Sequence, residues 1–277
     1  MSTSTIQTVP TPLTGEQAAE MAQRQIKKHH VAIVLLHWFN ATTWLLELAT
    51  GAGLIVSSNY RFAPIWYLQM IEGLFGSRAN MLRFHIAVGL TWIIVFLVYA
   101  IFGFRNYVHV EVLQHEIGLD QDDLRWLKVR TLWLFGRTEE PLPPQGVYNA
   151  GQKLFALLVY SAIPIIMLTG LEMTFHWFST ALVAWAMIVH YLAVAMVVSG
   201  LMIHVYMGAV FPEEKPAFYS MITGVVNELY AYQHHFKWWR EVKVQEQLWR
   251  EKSRIPVLDE QTPASGESGQ PGDATLC

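Results

Sequence analysis

Cysteine is almost absent from this chain: its 277 residues include one, Cys277. A disulfide framework, a thiolate zinc or iron–sulfur site and a CxxCH haem attachment each need more than that, so all three are excluded. Charge is scarce as well. Asp, Glu, Lys and Arg make up 15% of the residues, against roughly 25% in ordinary soluble domains. The formal net charge of −3 excludes a nucleic-acid binder, because a phosphate backbone is gripped by an excess of Lys and Arg. Any metal must be held by His or carboxylate side chains.

What the chain has in quantity is apolar surface: 53% of it is hydrophobic, with 11 Trp, 14 Phe and 11 Met. These residues are gathered into four blocks, about 31–56, 83–104, 152–175 and 181–211, each approaching or exceeding the roughly 20 residues needed to cross hydrocarbon. The expectation is an all-α integral membrane protein, a four-helix bundle over residues 31–211 embedded in a lipid bilayer. Residues 1–30 are rich in Ser, Thr, Pro and Gln. No basic stretch leads there into an apolar core and a small-residue cleavage site, so they read as a cytoplasmic tail and not a signal peptide. The long loop 105–150 carries Leu124, Leu127, Leu132 and Trp133, an amphipathic segment suited to the membrane surface. Residues 212–256 read as a second interfacial segment whose Trp residues anchor at headgroup level. Residues 257–277 are polar and turn-rich, the composition of a disordered tail.

Basic residues fix the orientation, since cytoplasmic flanks retain them. Three precede helix one, six lie between Arg105 and Lys153, and seven follow from Lys215, so sixteen of the nineteen fall on one side. The other side keeps Arg61, Arg78 and Arg83. Both termini are expected in the cytoplasm.

Ionisable side chains inside membrane helices are costly and are functional candidates by default. Four of the eleven histidines fall in the blocks: His37, His85, His190 and His204. His190 and His204 are 14 residues apart, which at about 100° and 1.5 Å per residue returns them to within roughly 40° of one face, about 21 Å apart along the axis. His85 lies at the outer end of helix two and His37 at the inner end of helix one. Pairing by depth puts His85 with His190 outside and His37 with His204 inside. Two imidazole pairs at two depths describe two haems, of the non-covalent b type in the absence of CxxCH. A shared zinc or copper ion is less suited, because ligands about 21 Å apart cannot meet on one ion. Gly51, Gly89 and Gly200, with Gly53 and Gly170, offer thin places for a macrocycle; the alternative is plain helix–helix packing. Glu47 is the odd carboxylate of helix one, either a proton-relay or quinone-related group or one hydrogen-bonded to a neighbour.

At these motifs the chain resembles the cytochrome b, or gamma, subunit of bacterial membrane-bound formate dehydrogenases. The likeness is carried by His37–Trp38, LRFHIAVG around His85, YNAGQK at 148–153, the His190 to His204 interval followed by HVYM, and HHFKWWRE at 234–241. Together these span roughly 31–250. The resemblance implies that the four histidines are haem iron ligands. It also implies that Asn149, Gly151 and Gln152, with His204, form a pocket for menaquinone or ubiquinone. Its further implications are an iron–sulfur partner and a molybdenum- or tungsten-containing catalytic subunit outside the membrane. On that footing the chain does no primary substrate chemistry; it is an electron-transfer and quinone-reducing subunit. The same kind of dihaem cytochrome serves hydrogenases, thiosulfate reductases and other molybdenum enzymes, and a proton-coupled transporter is the rival from another class. For the 148–153 stretch, ordinary N-capping by Asn149 is the alternative.

Overall fold

The computed structural model describes residues 10–56, 61–105 and 117–254. The tail expected at 257–277, residues 1–9 and the first part of the 105–150 loop, 106–116, lie outside the described residues. In chain order the elements are α1 (Gly15–Gln23), β1 (Gln25–Lys27), α2 (Val31–Leu54), α3 (Ile65–Phe75), α4 (Arg78–Arg105), α5 (Gln121–Leu134), α6 (Ala150–Phe175), α7 (Thr180–Val205), α8 (Lys215–Thr223), β2 (Val225–Asn227), α9 (Glu228–His234) and α10 (Phe236–Arg254). A π turn over Tyr206–Val210 prolongs α7.

Helices α2, α4, α6 and α7 are long and apolar enough to cross a membrane, and the protein is an all-α membrane bundle. In hydrocarbon each backbone N–H and C=O must be paired within the segment, which leaves the helix as the solution for an isolated apolar run. Leu35, Leu45, Ile94, Leu168, Leu192 and Met202 are exposed on these helices, as lipid-facing side chains should be. The helices pack as two hairpins, α2 with α4 and α6 with α7, and α4 also meets α6. One end of the bundle gathers the N-terminal segment, α5, α8 and α9; we call it the terminal end. The far end carries α3 and the short α6–α7 turn, where His176 stops α6 in the left-handed region at φ 53°.

Helix α3 has no counterpart in the sequence reading, which placed residues 57–82 between spans. Its 11 residues are too few to cross, yet it buries Ile71, and its Tyr67 hydroxyl donates to Ala49 O at 2.6 Å. Arg78 then closes the end of α2 by donating to Leu54 O at 2.6 Å and Val56 O at 3.1 Å.

The N-terminal segment is folded from Gly15 onward, a second difference from the sequence reading. A Thr14–Gln17 capping box starts α1. Strand β1 pairs antiparallel with β2, Ile26 opposite Val226, and Met21 packs on Tyr232 and Phe236 with Trp239 beside them. The expected interfacial segment is interrupted at His235 into α9 and α10. Its half-buried Trp239 packs beside Tyr232 and Phe236 and donates to Glu228 Oε1 at 2.9 Å. From Glu241 the chain forms a second unit, helical through Arg254, with Lys243 and Glu246 paired at 3.3 Å.

Gly224 ties the two chain ends together. Its carbonyl accepts from Lys28 N at 2.8 Å and His29 N at 2.9 Å. Its φ is +79°, and a Cβ there would fall 2.9 Å from His29 O. An L side chain in the left-handed region costs about 1–2 kcal/mol, and the contact is with backbone that cannot swing away. Gly224→Ala is expected to destabilise the fold by at least that much, read as a lower thermal midpoint in detergent. An unchanged midpoint would refute this account of the joint.

Candidate functional site

The four membrane histidines enter the bundle from three helices. At the terminal end His37 of α2 faces His204 of α7, their ring centroids 6.5 Å apart and the rings tilted by 53°. Toward the far end His190 of α7 lies within electrostatic reach of His85 of α4. Of the two pairs expected from depth, the one with a direct ring-to-ring contact is His37–His204. With a metal–imidazole bond of about 2.0 Å on each side and a ring radius of about 1.1 Å, two rings sharing one ion have centroids a little over 6 Å apart. The His37–His204 separation fits an iron held from both sides.

Hydrogen bonding fixes the tautomers of the second pair. Thr50 Oγ1 uses its proton on Leu46 O at 2.8 Å, so at 2.8 Å from His85 Nδ1 it can only accept. Glu47 Oε2 lies 2.6 Å from the same nitrogen. Nδ1 therefore carries the hydrogen, and Nε2 keeps its lone pair for a metal. His190 repeats the arrangement. Thr169 Oγ1 donates to Ile165 O at 2.6 Å and lies 3.0 Å from His190 Nδ1. A glycine follows each threonine, and a Cβ on Gly51 or Gly170 would lie 3.5 Å from Cε1 of its imidazole. This Thr-Gly step, at 50–51 and 169–170, is a signal present in the sequence that the histidine spacing alone did not expose. At the first pair His37 Nδ1 is buried with no hydrogen-bond partner, and Phe155 stacks on His204 at 4.7 Å.

The remaining candidates sort by what they touch. A Cβ on Gly200 would fall 2.8 Å from Leu158 Cδ2 and 3.0 Å from Phe155 Cδ2, so Gly200 lets α7 close on α6. Gly89 lies beside Glu47, a Cβ there being 3.6 Å from Oε1. Glu47 is the hydrogen-bonded carboxyl that one of its two readings required, and its neighbour is His85.

Asn149 and Gln152 form a reciprocal capping box at the start of α6: Gln152 N donates to Asn149 Oδ1 at 2.9 Å and Asn149 N to Gln152 Oε1 at 3.0 Å. Ala150 N donates to Gln145 Oε1 at 2.7 Å. Among the described residues Gly151 N–H is the first-turn donor left over. Trp126 of α5 covers this turn, 3.7 Å from a Cβ built on Gly151, and Lys153 reaches Asp123 at 2.7 Å in a buried pair. The buried face of α5 is Asp123, Trp126, Val129 and Arg130, while Leu124 and Trp133 of the expected amphipathic stripe are exposed.

Beside this turn lies a buried polar cluster. His235 Nδ1 donates to Gly146 O at 2.7 Å, which leaves Nε2 to accept from Lys28 Nζ at 3.2 Å. Burial and the Lys28 charge hold His235 neutral, well below its ordinary range. His29, stacked on Tyr148 at 6.4 Å, is lowered to about 4 by burial and then by Lys28. Burial pushes the Glu214 carboxyl up, but the Tyr230 hydroxyl at 2.6 Å and His234 at 3.7 Å outweigh it and hold the group at about 2.

Imidazoles facing one another inside membrane-length helices define the class of membrane-bound b-type cytochromes. Within that class the chain belongs to the prokaryotic cytochrome b561 family, whose model matches residues 28–224 and so takes in all four long helices and all four histidines. It is a haem b protein of electron transport. It is 28% identical over 148 residues to the cytochrome b556(Fdn) subunit of the nitrate-inducible formate dehydrogenase of Escherichia coli K12, covering 52% of this chain and 66% of that one. It thus spans just under two thirds of that relative. The cytochrome b556 subunit of the Haemophilus influenzae formate dehydrogenase is 24% identical over 236 residues, 83% of this chain and 90% of that one. The E. coli K12 cytochrome b556(fdo) subunit is 24% identical over 212 residues, 75% and 88% of the two chains.

The buried cluster makes the terminal end sensitive to acid. An unfolded chain protonates histidine near pH 6.5, whereas folded His29 waits until about pH 4. Between those values the folded state loses up to about 1.4 kcal/mol per pH unit for this group. Glu214 works lower: its stabilisation is full above pH 4.5 and fades as pH falls toward about 2. The thermal midpoint is expected to drop between pH 6.5 and 4, with a shallower slope in His29→Phe; equal slopes in the two proteins would refute it.

Proposed function

We propose that this chain is the dihaem b-type cytochrome subunit of a formate dehydrogenase-like respiratory complex in a bacterial inner membrane. It takes electrons from a periplasmic iron–sulfur subunit, itself joined to a molybdenum- or tungsten-containing catalytic subunit, and reduces menaquinone or ubiquinone near the cytoplasmic face. The observation that carries the reading is the facing of His37 and His204 at 6.5 Å, in a chain whose relatives are named as cytochrome b556 subunits of formate dehydrogenases. Bound haem b supplies reversible one-electron transfer. His85 and His190 would hold one group through Nε2, their Nδ1–H groups being engaged by Glu47, Thr50 and Thr169. His37 and His204 would hold the other. The excess of Lys and Arg on the terminal end supports a cytoplasmic position for both termini.

For the quinone the candidate is the first turn of α6, at the level of His37 and His204. The unpaired Gly151 N–H lies at the positive end of the helix dipole and can donate to a quinone carbonyl. The capping box uses the side-chain oxygens of Asn149 and Gln152 and leaves their amide N–H groups as further donors. Capping and quinone binding are compatible uses of the same two residues. Reduction here draws protons from the cytoplasm while electrons arrive from outside, so turnover charges the membrane without a proton crossing the chain.

Replacing His85 or His190 by Ala is expected to remove one haem, and replacing His37 or His204 the other, as read in the reduced-minus-oxidised spectrum of the purified chain. Full haem content in His37→Ala would sink the pairing. Asn149→Ala and Gly151→Leu are expected to slow quinone reduction at least tenfold while both haems stay bound and reducible by the donor. Asn149→Asp, which keeps the cap, separates the two roles: it retains thermal stability and still loses quinone turnover. Normal turnover in all three variants would move the site elsewhere.

A further inference from the structure

Glu47 is a carboxyl in the apolar stretch of α2, and the roles above give it no function beyond its contact with His85. Its partner is specific: Oε2 lies 2.6 Å from His85 Nδ1. The two helix hairpins treat their imidazoles alike in one respect. His85 meets Thr50, with Gly51 beside it, and His190 meets Thr169, with Gly170 beside it. Three residues before the threonine each imidazole also meets a second acceptor, of a different kind: the Glu47 carboxyl for His85 and the Ile166 backbone carbonyl for His190. Glu47 stands three residues before Thr50, whereas Ile166 stands three before Thr169. The carboxyl thus takes the place of a backbone carbonyl in a scaffold that already fixes the tautomer, and tautomer selection does not require it. At the other level His37 Nδ1 has no hydrogen-bond partner among the described residues.

We propose that Glu47 is a potential-setting residue, acting through His85 Nδ1 to lower the midpoint of the outer haem relative to the inner one. The proposal rests on the assignment of His85 as an iron ligand. A strong acceptor on Nδ1–H shifts electron density onto the imidazole and makes it a better donor to ferric iron, and hydrogen bonding around a ligand is one of the levers by which a protein sets haem potential. Gaining one electron, ferric to ferrous, is then less favourable at the Glu47 end. At the inner level His37 Nδ1, without a hydrogen-bond partner among the described residues, lacks such an acceptor. Electrons therefore run downhill from the far end of the bundle to the terminal end.

The test is an optical redox titration of both haems in the purified full-length chain, with Glu47→Gln and Glu47→Leu beside the unaltered protein. One midpoint is expected to rise in both variants, by at least tenfold in its reduction equilibrium, about 59 mV for one electron, and further in Leu than in Gln. The other midpoint stays fixed and both haems stay bound. Two unchanged midpoints with full haem content would overturn the inference. Loss of the outer haem from Glu47→Gln, whose amide oxygen can still accept from Nδ1–H, would overturn it in favour of a purely structural role. His85→Ala keeps this separate from the ligand assignment. If that variant retains both haems, the assignment itself fails; if it loses one while Glu47→Gln titrates like the unaltered protein, only the role of Glu47 fails.

Discussion

A polar group within hydrocarbon must find its partner inside the chain, and the arrangement of this bundle follows from that requirement. Threonine and serine meet it by donating to the carbonyl one turn back, as Thr43 does to Phe39 O at 2.9 Å, Thr91 to Ala87 O at 2.8 Å and Ser199 to Ala195 O at 2.9 Å. The hydroxyl oxygen is left as an acceptor with its proton committed. At Thr50 and Thr169 an imidazole is placed against that oxygen, and an ordinary way of carrying a hydroxyl through lipid becomes a device that selects a histidine tautomer. The indole of Trp92 is handled in the same manner, its N–H donating to Asn40 Oδ1 at 2.7 Å across α2 and α4. At Thr50 and Thr169, satisfying the polar atom and orienting the candidate ligand are one problem, because the same contact serves both.

That coupling explains which features were legible in the sequence. The four spans were, since length and apolarity over more than 20 residues decide them locally; Val31–Leu54 and Ala150–Phe175 differ from the expected limits by one or two residues. The 14-residue interval from His190 to His204 was legible too, because spacing on one helix is a geometric quantity, and the structure sets His204 beside the ring of His37. Helix α3 and the pairing of β1 with β2 were not. Eleven residues in the first case and three per strand in the second are too short to show a period. The N-terminal strand is decided by a partner 200 residues away, Gln25 opposite Asn227. Glu47 shows the limit at a single position. The sequence reveals a carboxyl in the wrong medium, but only the register of α2 against α4 reveals that it meets His85.

The start of α6 is the other place where two requirements share the same atoms. YNAGQK was read both as a cap and as a ligand pocket, and the structure makes the cap concrete without using the whole turn. Asn149, Gln152 and Gln145 account for three of the neighbouring donors, while Trp126 and the buried Asp123–Lys153 pair hold the turn against α5. His235 fixes the approach from the other side through Gly146 O, and Lys237 N donates to Gln145 O at 3.0 Å. A donor carried on a mobile loop would lose part of its binding energy to ordering itself. Gly151 N–H is instead held by contacts from α5, α6 and the start of α10. The small side chain that leaves this N–H approachable is also the one residue of the turn that makes no contribution to the cap. Rigidity and access are thus divided between adjacent residues, which is why a capped helix end can still present a directed donor, one turn before the Phe155 that stacks on His204.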